Sequence, residues 1–300
     1  MHDAVRISAA DGYALGGTVF DGARGPVVVV NGATGVRQRY YARFAHWLAD
    51  EGATVVTYDY RGIGESRPHR LRGFSARMRD WGQLDLEGVL RFVHGVFPGR
   101  PVAVIGHSVG GQLLGLAPSI THVARVVTVG AQSGYWGHWP LSTKVAFASL
   151  WYGVMPITSK AVGYFPGQLG IGEHLPRGVA EEWARWCRSE GYFTDDDVPT
   201  DGYARVTAPL LAWSFTDDGY APRAAVDWLH RLYASAPVVR RHLSPRELGV
   251  KRVGHFGFFR ECFRDSLWED AASWLLRPAM LPPAASAGGV KAAERDGSRA

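Results

Sequence analysis

The chain has 300 residues, 46% of them hydrophobic and 20% charged, with a formal net charge of +5. That is enough apolar material for one large domain or two small ones, and it excludes disorder over most of the length. Two cysteines, Cys187 and Cys262, exclude a disulfide framework and suit a reducing, cytoplasmic setting. The positive bias comes without zinc-finger spacing, an RNA-binding signature or a basic helix, so nucleic acid is not an expected partner.

The N-terminal stretch lacks the charged and apolar blocks of a secretory leader. It reads as two short strands about the turn Asp11-Gly12. Apolar, β-branched runs then alternate with helical patterns. "PVVVVNG" at 26–32 is the first buried strand, and 39–50 has helical periodicity. "ATVVTYDY" at 53–60 is a strand, and 82–97 is a helix with Leu84, Val89, Phe92 and Val93 on its apolar face. "PVAVIG" at 101–106 is a strand, "GGQLLGLAP" a helix, and 124–131 a further strand. From about 132 to 206 the sequence is irregular and rich in Gly, Pro, Trp and Tyr. The alternation then resumes with a strand at 209–215, a helix after Pro222, a strand at 238–243 and a closing helix at 265–276. The longest apolar stretch, at 145–155, is too short for a bilayer, which takes about 20 residues, so no membrane span is expected.

Continuous apolar strands alternating with helices predict an α/β fold, a mostly parallel sheet covered on both faces. The expected division is a core at 1–131 and 207–277 and an insertion at 132–206, placed before the sixth parallel strand. The end, 278–300, is small, polar and proline-bearing, which predicts a disordered tail.

Gly106-His107-Ser108-Val109-Gly110 places a serine between an apolar strand and a helix, with glycine two residues away on each side. This is the G-x-S-x-G elbow, in which a strained turn lifts a nucleophilic hydroxyl clear of the sheet. A tight strand–helix turn would use the same glycines; the alternating α/β context favours the elbow. A serine nucleophile needs a base, and the base an orienting carboxylate, here in the chain order Ser, acid, His. After the strand at 209–215 come Asp217 and Asp218 as rivals. Asp218 is preferred because it sits on the turn leading to Pro222, while Asp217 suits an Asx turn or cap. Lone histidines are usually structural, but His255 in "VGHFGFFR" follows the last strand and lies between two glycines. His107, beside the serine, is expected to point away into the sheet packing. The oxyanion needs two amides: Val109 is the first, and Ala33 is chosen as the second, with Thr34 as its rival.

"NGATG", "DYRGIGES", "GHSVGG", "SFTDDGYAP" and "GHFGFFR" stand in the order seen in the α/β-hydrolase superfamily, and the chain resembles it over about 5–277. The motifs look most similar to bacterial hydrolases of the lipase-like and serine-aminopeptidase-like kind. Asn31 departs from the histidine usual at that place, where the resemblance implies a buttress for the oxyanion loop. Asp59 to Ser66 is implied to be a structural turn. The resemblance also implies that 132–206 folds over the site as a cap, carrying five of the eleven tryptophans. Those aromatics pack the cap itself or line an apolar acyl pocket; Thr34, Trp136, Trp139 and Trp151 are the candidate substrate contacts. The arginines between 61 and 79 form a solvated basic loop or a hold for an anionic handle.

The expected activity is that of a serine hydrolase acting on an ester or thioester, with Ser108, His255 and Asp218 as triad and no metal or cofactor. Its partner is a small-molecule acyl substrate; nothing in the sequence specifies a homo-oligomer. An acyltransferase on the same triad, or a non-catalytic binding module on the same scaffold, is the alternative.

Overall fold

Successive side chains of a strand face opposite ways, and the run of four valines at 27–30 shows what this chain does with that rule. Val27 and Val29 enter one hydrophobic core and Val28 and Val30 the other. A strand buried on both faces is the central strand of a three-layer α/β fold. The computed structural model describes residues 2–22, 25–170 and 172–276; the tail expected at 278–300 lies outside them.

In chain order, β1 (His2–Ser8) and β2 (Ala14–Phe20) form the expected N-terminal hairpin. β3 (Val27–Asn31), α1 (Ala42–Asp50), β4 (Thr54–Tyr58), α2 (Met78–Asp80), α3 (Glu87–Val96), β5 (Val102–His107), α4 (Val109–Gln112) and β6 (Arg125–Val129) follow. Then come α5 (Leu141–Ser149), α6 (Met155–Val162), the two-residue strands β7 (Tyr164–Phe165) and β8 (Leu175–Pro176), α7 (Arg177–Arg188) and α8 (Asp201–Arg205). β9 (Leu210–Phe215), α9 (Arg223–His230), β10 (Val238–Leu243), α10 (Gly254–Gly257) and α11 (Glu269–Leu275) complete the described chain.

The main sheet has eight strands in the order β1-β2-β4-β3-β5-β6-β9-β10. β2 runs antiparallel to β4, and from β4 to β10 every pairing is parallel. The irregular stretch therefore precedes the fifth parallel strand, β9, and not the sixth as its place in the sequence suggested. α1 and α11 cover one face, while α3, α9 and the aromatics of residues 132–206 cover the other. All residues of β3, β4, β5, β6 and β9 are buried, but β10 exposes Val239, Arg240 and Arg241, charged protection for an edge.

The helix expected after the serine is shorter than its pattern suggested. α4 is four residues long and gives way to 3-10 turns at Leu114–Leu116 and Pro118–His122. Ala117 is extended ahead of Pro118, as the proline ring demands. Gly115 lies against the Tyr203 ring, where a Cβ would come within 2.3 Å.

The chain turns to opposite sides after β3, so the crevice between the C-terminal ends of β3 and β5 is the switch point of the sheet. In open α/β sheets ligands bind there.

Candidate active site

Ser108 follows β5 directly, with φ 52° and ψ −120°. A non-glycine residue at positive φ is held only where its surroundings over-determine it. Its N–H donates to the Val129 carbonyl at 2.9 Å, and its carbonyl accepts from Gly111 and Gln112. The flanking glycines are required by contact: a Cβ on Gly106 would come within 2.5 Å of Gly111 Cα, and one on Gly110 within 2.3 Å of the Asn31 carbonyl oxygen. The sequence pattern is thus the steric record of the turn.

Asp218 and His255 come from the loops after β9 and β10. The Asp218 Oδ2 accepts from His255 Nδ1 at 2.8 Å, and its Oδ1 accepts the amides of Tyr220 and Ala221 at 2.8 and 3.1 Å. Its side chain is fully buried. A carboxylate can only accept, so Nδ1 carries the hydrogen and Nε2 is the basic nitrogen. Asp217 points elsewhere, accepting the amides of Val253 and Gly254 at 2.9 and 3.0 Å. Of the two rivals, Asp218 holds the imidazole and Asp217 the loop that carries it. Gly130, φ 57°, passes close by; a Cβ there would lie 3.2 Å from Asp218 Oδ2 and from His255 Cε1 and Nδ1.

Ser108, His255, Ala33 and Thr34 line one cavity of about 380 Å³, together with Gln132 and Trp183. Among the described residues no hydrogen bond joins the serine hydroxyl to the imidazole; such bonds are often long without substrate. The Val109 and Thr34 amides have no acceptor among the described residues. The Ala33 amide, chosen for the oxyanion on sequence grounds, donates to the buried Tyr41 hydroxyl at 2.8 Å. Its hydrogen is therefore committed inside the protein. Asn31 is fully buried, donating to the Gly110 carbonyl at 3.2 Å and accepting from Tyr58 Oη at 2.9 Å. It ties the end of β3 to the turn after Ser108.

His107 does point away from the cavity. It is fully buried, and burial first, then the neighbouring His255, holds its imidazole well below the ordinary histidine range.

A second cavity of about 340 Å³ is lined by Trp139, Phe147, Leu150, Trp151 and Cys187. Both cavities share Gln132, Gly170, Trp183 and Tyr220. Trp136, expected among the substrate contacts, lines neither; it packs against Tyr135 and Tyr152, with the Lys144 ammonium over its ring. Trp183, one of the five tryptophans of 132–206, and Tyr220 line both cavities but are not among the expected contacts. Tyr220 could have been found from its place two residues past Asp218, whereas nothing local marks one face of α7 as facing a cavity. The basic loop does not line the Ser108 cavity. Arg61 pairs with Asp85 and Asp11, Arg77 with Asp80, and Arg79 with Glu182 and Asp196. The turn at 59–66 is held by the Asp59 carboxylate, which accepts the amides of Gln38 and Glu65 at 2.7 and 2.9 Å.

Residues 21–154 match a family model described as serine aminopeptidase, S33. No curated protein matches the sequence. Among solved structures, an esterase from Pyrococcus furiosus aligns at 16% identity over 92% of both chains, with a TM-score of 0.60. A hypothetical protein from Pseudomonas aeruginosa aligns at 15% identity over 92% of both chains, with a TM-score of 0.62. An esterase from Exiguobacterium antarcticum aligns at 18% identity over 90% of this chain and 98% of its own, with a TM-score of 0.57. At these identities the likeness is one of fold.

Proposed function

We propose that this chain, whose fold is that of the α/β-hydrolases, is a serine hydrolase that cleaves a carboxylic ester or thioester through an acyl-enzyme. The observation that carries the reading is the 2.8 Å contact of Asp218 with His255 at a cavity whose wall includes a serine on a strained turn.

Ser108 Oγ attacks the acyl carbon while His255 Nε2 takes its proton. Asp218 fixes the tautomer and stabilises the imidazolium. The negative charge that develops on the carbonyl oxygen is met by the Val109 N–H and, with Ala33 committed to Tyr41, by the Thr34 N–H. His255 returns the proton to the leaving alcohol or thiol. Water, activated by the same imidazole, then releases the acid.

The adjoining aromatic cavity takes the apolar acyl group, and residues 132–206 form a cap that supplies most of its wall. Trp139, Trp151 and Trp183 are substrate contacts in this reading. No helix of the described residues is long and apolar enough to cross a membrane. Both cysteines are free, in keeping with a cytoplasmic address.

A fluorophosphonate probe and a panel of chromogenic esters of increasing acyl length test this. Expected are labelling of Ser108, turnover of apolar acyl esters, and loss of both in Ser108→Ala. Folded protein that neither reacts nor turns over any ester or thioester overturns it.

A further inference from the structure

The loop that carries His255 is fastened from outside its own sequence. Its carbonyls at 255 and 256 accept from His107 Nε2, at 2.9 Å, and from the Tyr40 hydroxyl. His107 Nδ1 lies 2.9 Å from Tyr41 Oη, which in turn accepts the Ala33 amide at 2.8 Å. Adjacent tyrosines at the start of the first helix thus reach the same loop, one directly and one through a histidine.

The hydrogens in this chain have one arrangement. A carbonyl cannot donate, so His107 Nε2 bears a hydrogen. Burial keeps the ring neutral, so Nδ1 is a bare acceptor. Among the described residues the hydrogen-bond partner of Nδ1 is the Tyr41 hydroxyl, which supplies the hydrogen, and that hydroxyl's lone pair is what the Ala33 amide meets. Ala33 donates to Tyr41, Tyr41 to His107, and His107 to the His255 carbonyl. At most 9% of any of the four residues is exposed, so water offers none of these groups a ready alternative.

We propose that His107 is a positioning residue for the base: with Tyr41 it fixes the backbone of His255 relative to the serine elbow and the loop after β3. The inference rests on the serine-hydrolase reading. His107 is joined to Ser108 by a peptide bond, so its contact with the His255 carbonyl sets the separation of nucleophile and base directly. The neutrality of the ring also has a use. The His107 and His255 ring centroids are 5.1 Å apart, and a charged imidazole at that distance would oppose the imidazolium that forms on His255 during acyl transfer. A ring committed through both nitrogens holds the loop without adding that charge.

The test uses the full chain with three variants and one spectroscopic measurement. His107→Phe keeps an aromatic ring but removes both polar contacts, His107→Gln retains a donor for the His255 carbonyl, and Tyr41→Phe releases the tautomer of His107. In folded His107→Phe, kcat is expected to fall about ten- to hundredfold with KM within about twofold, the effect of a small misplacement of reacting groups. Fluorophosphonate labelling slows in parallel, and His107→Gln restores part of both. Tyr41→Phe lowers kcat in the same sense. Imidazole nitrogen shifts of the wild-type protein are expected to report His107 as neutral with hydrogen on Nε2.

Wild-type kcat in folded His107→Phe overturns the proposal, as does a loss that His107→Gln does not relieve. If His107→Phe does not fold, an unchanged or raised kcat in Tyr41→Phe overturns it, and so does any other tautomer of His107. Failure of the underlying reading looks different: the wild-type protein itself would not be labelled.

Discussion

Asp217 and Asp218 are chain neighbours that grip one loop by different handles. Asp218 takes the ring of His255, and Asp217 takes the amides of Val253 and Gly254 that precede it. The two substitutions to asparagine should therefore separate. Asp218→Asn is expected to lower kcat by about 10⁴-fold with little change in KM, because an amide favours the wrong tautomer. Asp217→Asn is expected to cost about 1–3 kcal/mol of stability, with a smaller loss of kcat. Steady-state kinetics and urea denaturation of both variants check this; the reverse ranking would transfer the triad role to Asp217.

Ser108→Ala tests strain and chemistry together. Turnover should fall by on the order of 10⁴- to 10⁶-fold. Stability should not fall, since the hydroxyl makes no hydrogen bond among the described residues and the backbone strain remains. Measuring the thermal midpoint beside the kinetics detects a variant that is inactive only because it is unfolded.

Gly130→Ala places a methyl 3.2 Å from Asp218 Oδ2 and from two atoms of the His255 ring, on a backbone at φ 57°. The left-handed conformation alone costs about 1–2 kcal/mol. The displaced pair is expected to reduce kcat about tenfold or more. A variant destabilised by this amount but fully active would show that the pair has slack the geometry does not suggest.

His230 makes stability pH-dependent. It is buried, its Nδ1 donates to the Val226 carbonyl at 2.7 Å, and its Nε2 accepts from Thr128. Burial depresses its imidazole from 6.5 to about 4. The unfolded chain therefore binds the proton first, so this residue's contribution is intact above about 6.5 and is lost as the pH falls toward about 4. At about 1.4 kcal/mol per pH unit the loss is roughly 3 kcal/mol. The stability gap between wild type and His230→Gln in urea should shrink by that amount between pH 7 and pH 4; a constant gap would contradict the assignment.

Ala146→Phe narrows the aromatic cavity that adjoins the serine. It is expected to cut kcat/KM for long-chain esters about tenfold or more while leaving acetate esters nearly unchanged. A uniform fall across the ester panel would place the acyl group elsewhere.

Much of this was written in local sequence. Continuous apolar, β-branched runs gave the strands, Asp11-Gly12 the first hairpin, and the spacing of Gly106, Ser108 and Gly110 the sharp turn. These are short-range properties, because strand burial and turn sterics depend on residues only a few positions apart. The limits of the elbow helix were less legible, since Pro118 and the Tyr203 ring against Gly115 end what the apolar pattern would continue.

What the tertiary structure alone decided is which groups meet. On paper Asp218 is preferred to its rival Asp217 only for its place on the turn leading to Pro222; the direction in which the chain leaves β9 assigns one to the ring and the other to the loop. Ala33 looked like a free donor until Tyr41, eight residues on, folded back over it. Trp136 and Trp183 look alike in sequence, yet only Trp183 lines the cavities. A hydrogen bond is fixed by distances of a few tenths of an ångström between segments that share no local pattern. Sequence therefore specified the elements and the residue types, and the packing of those elements chose the partners.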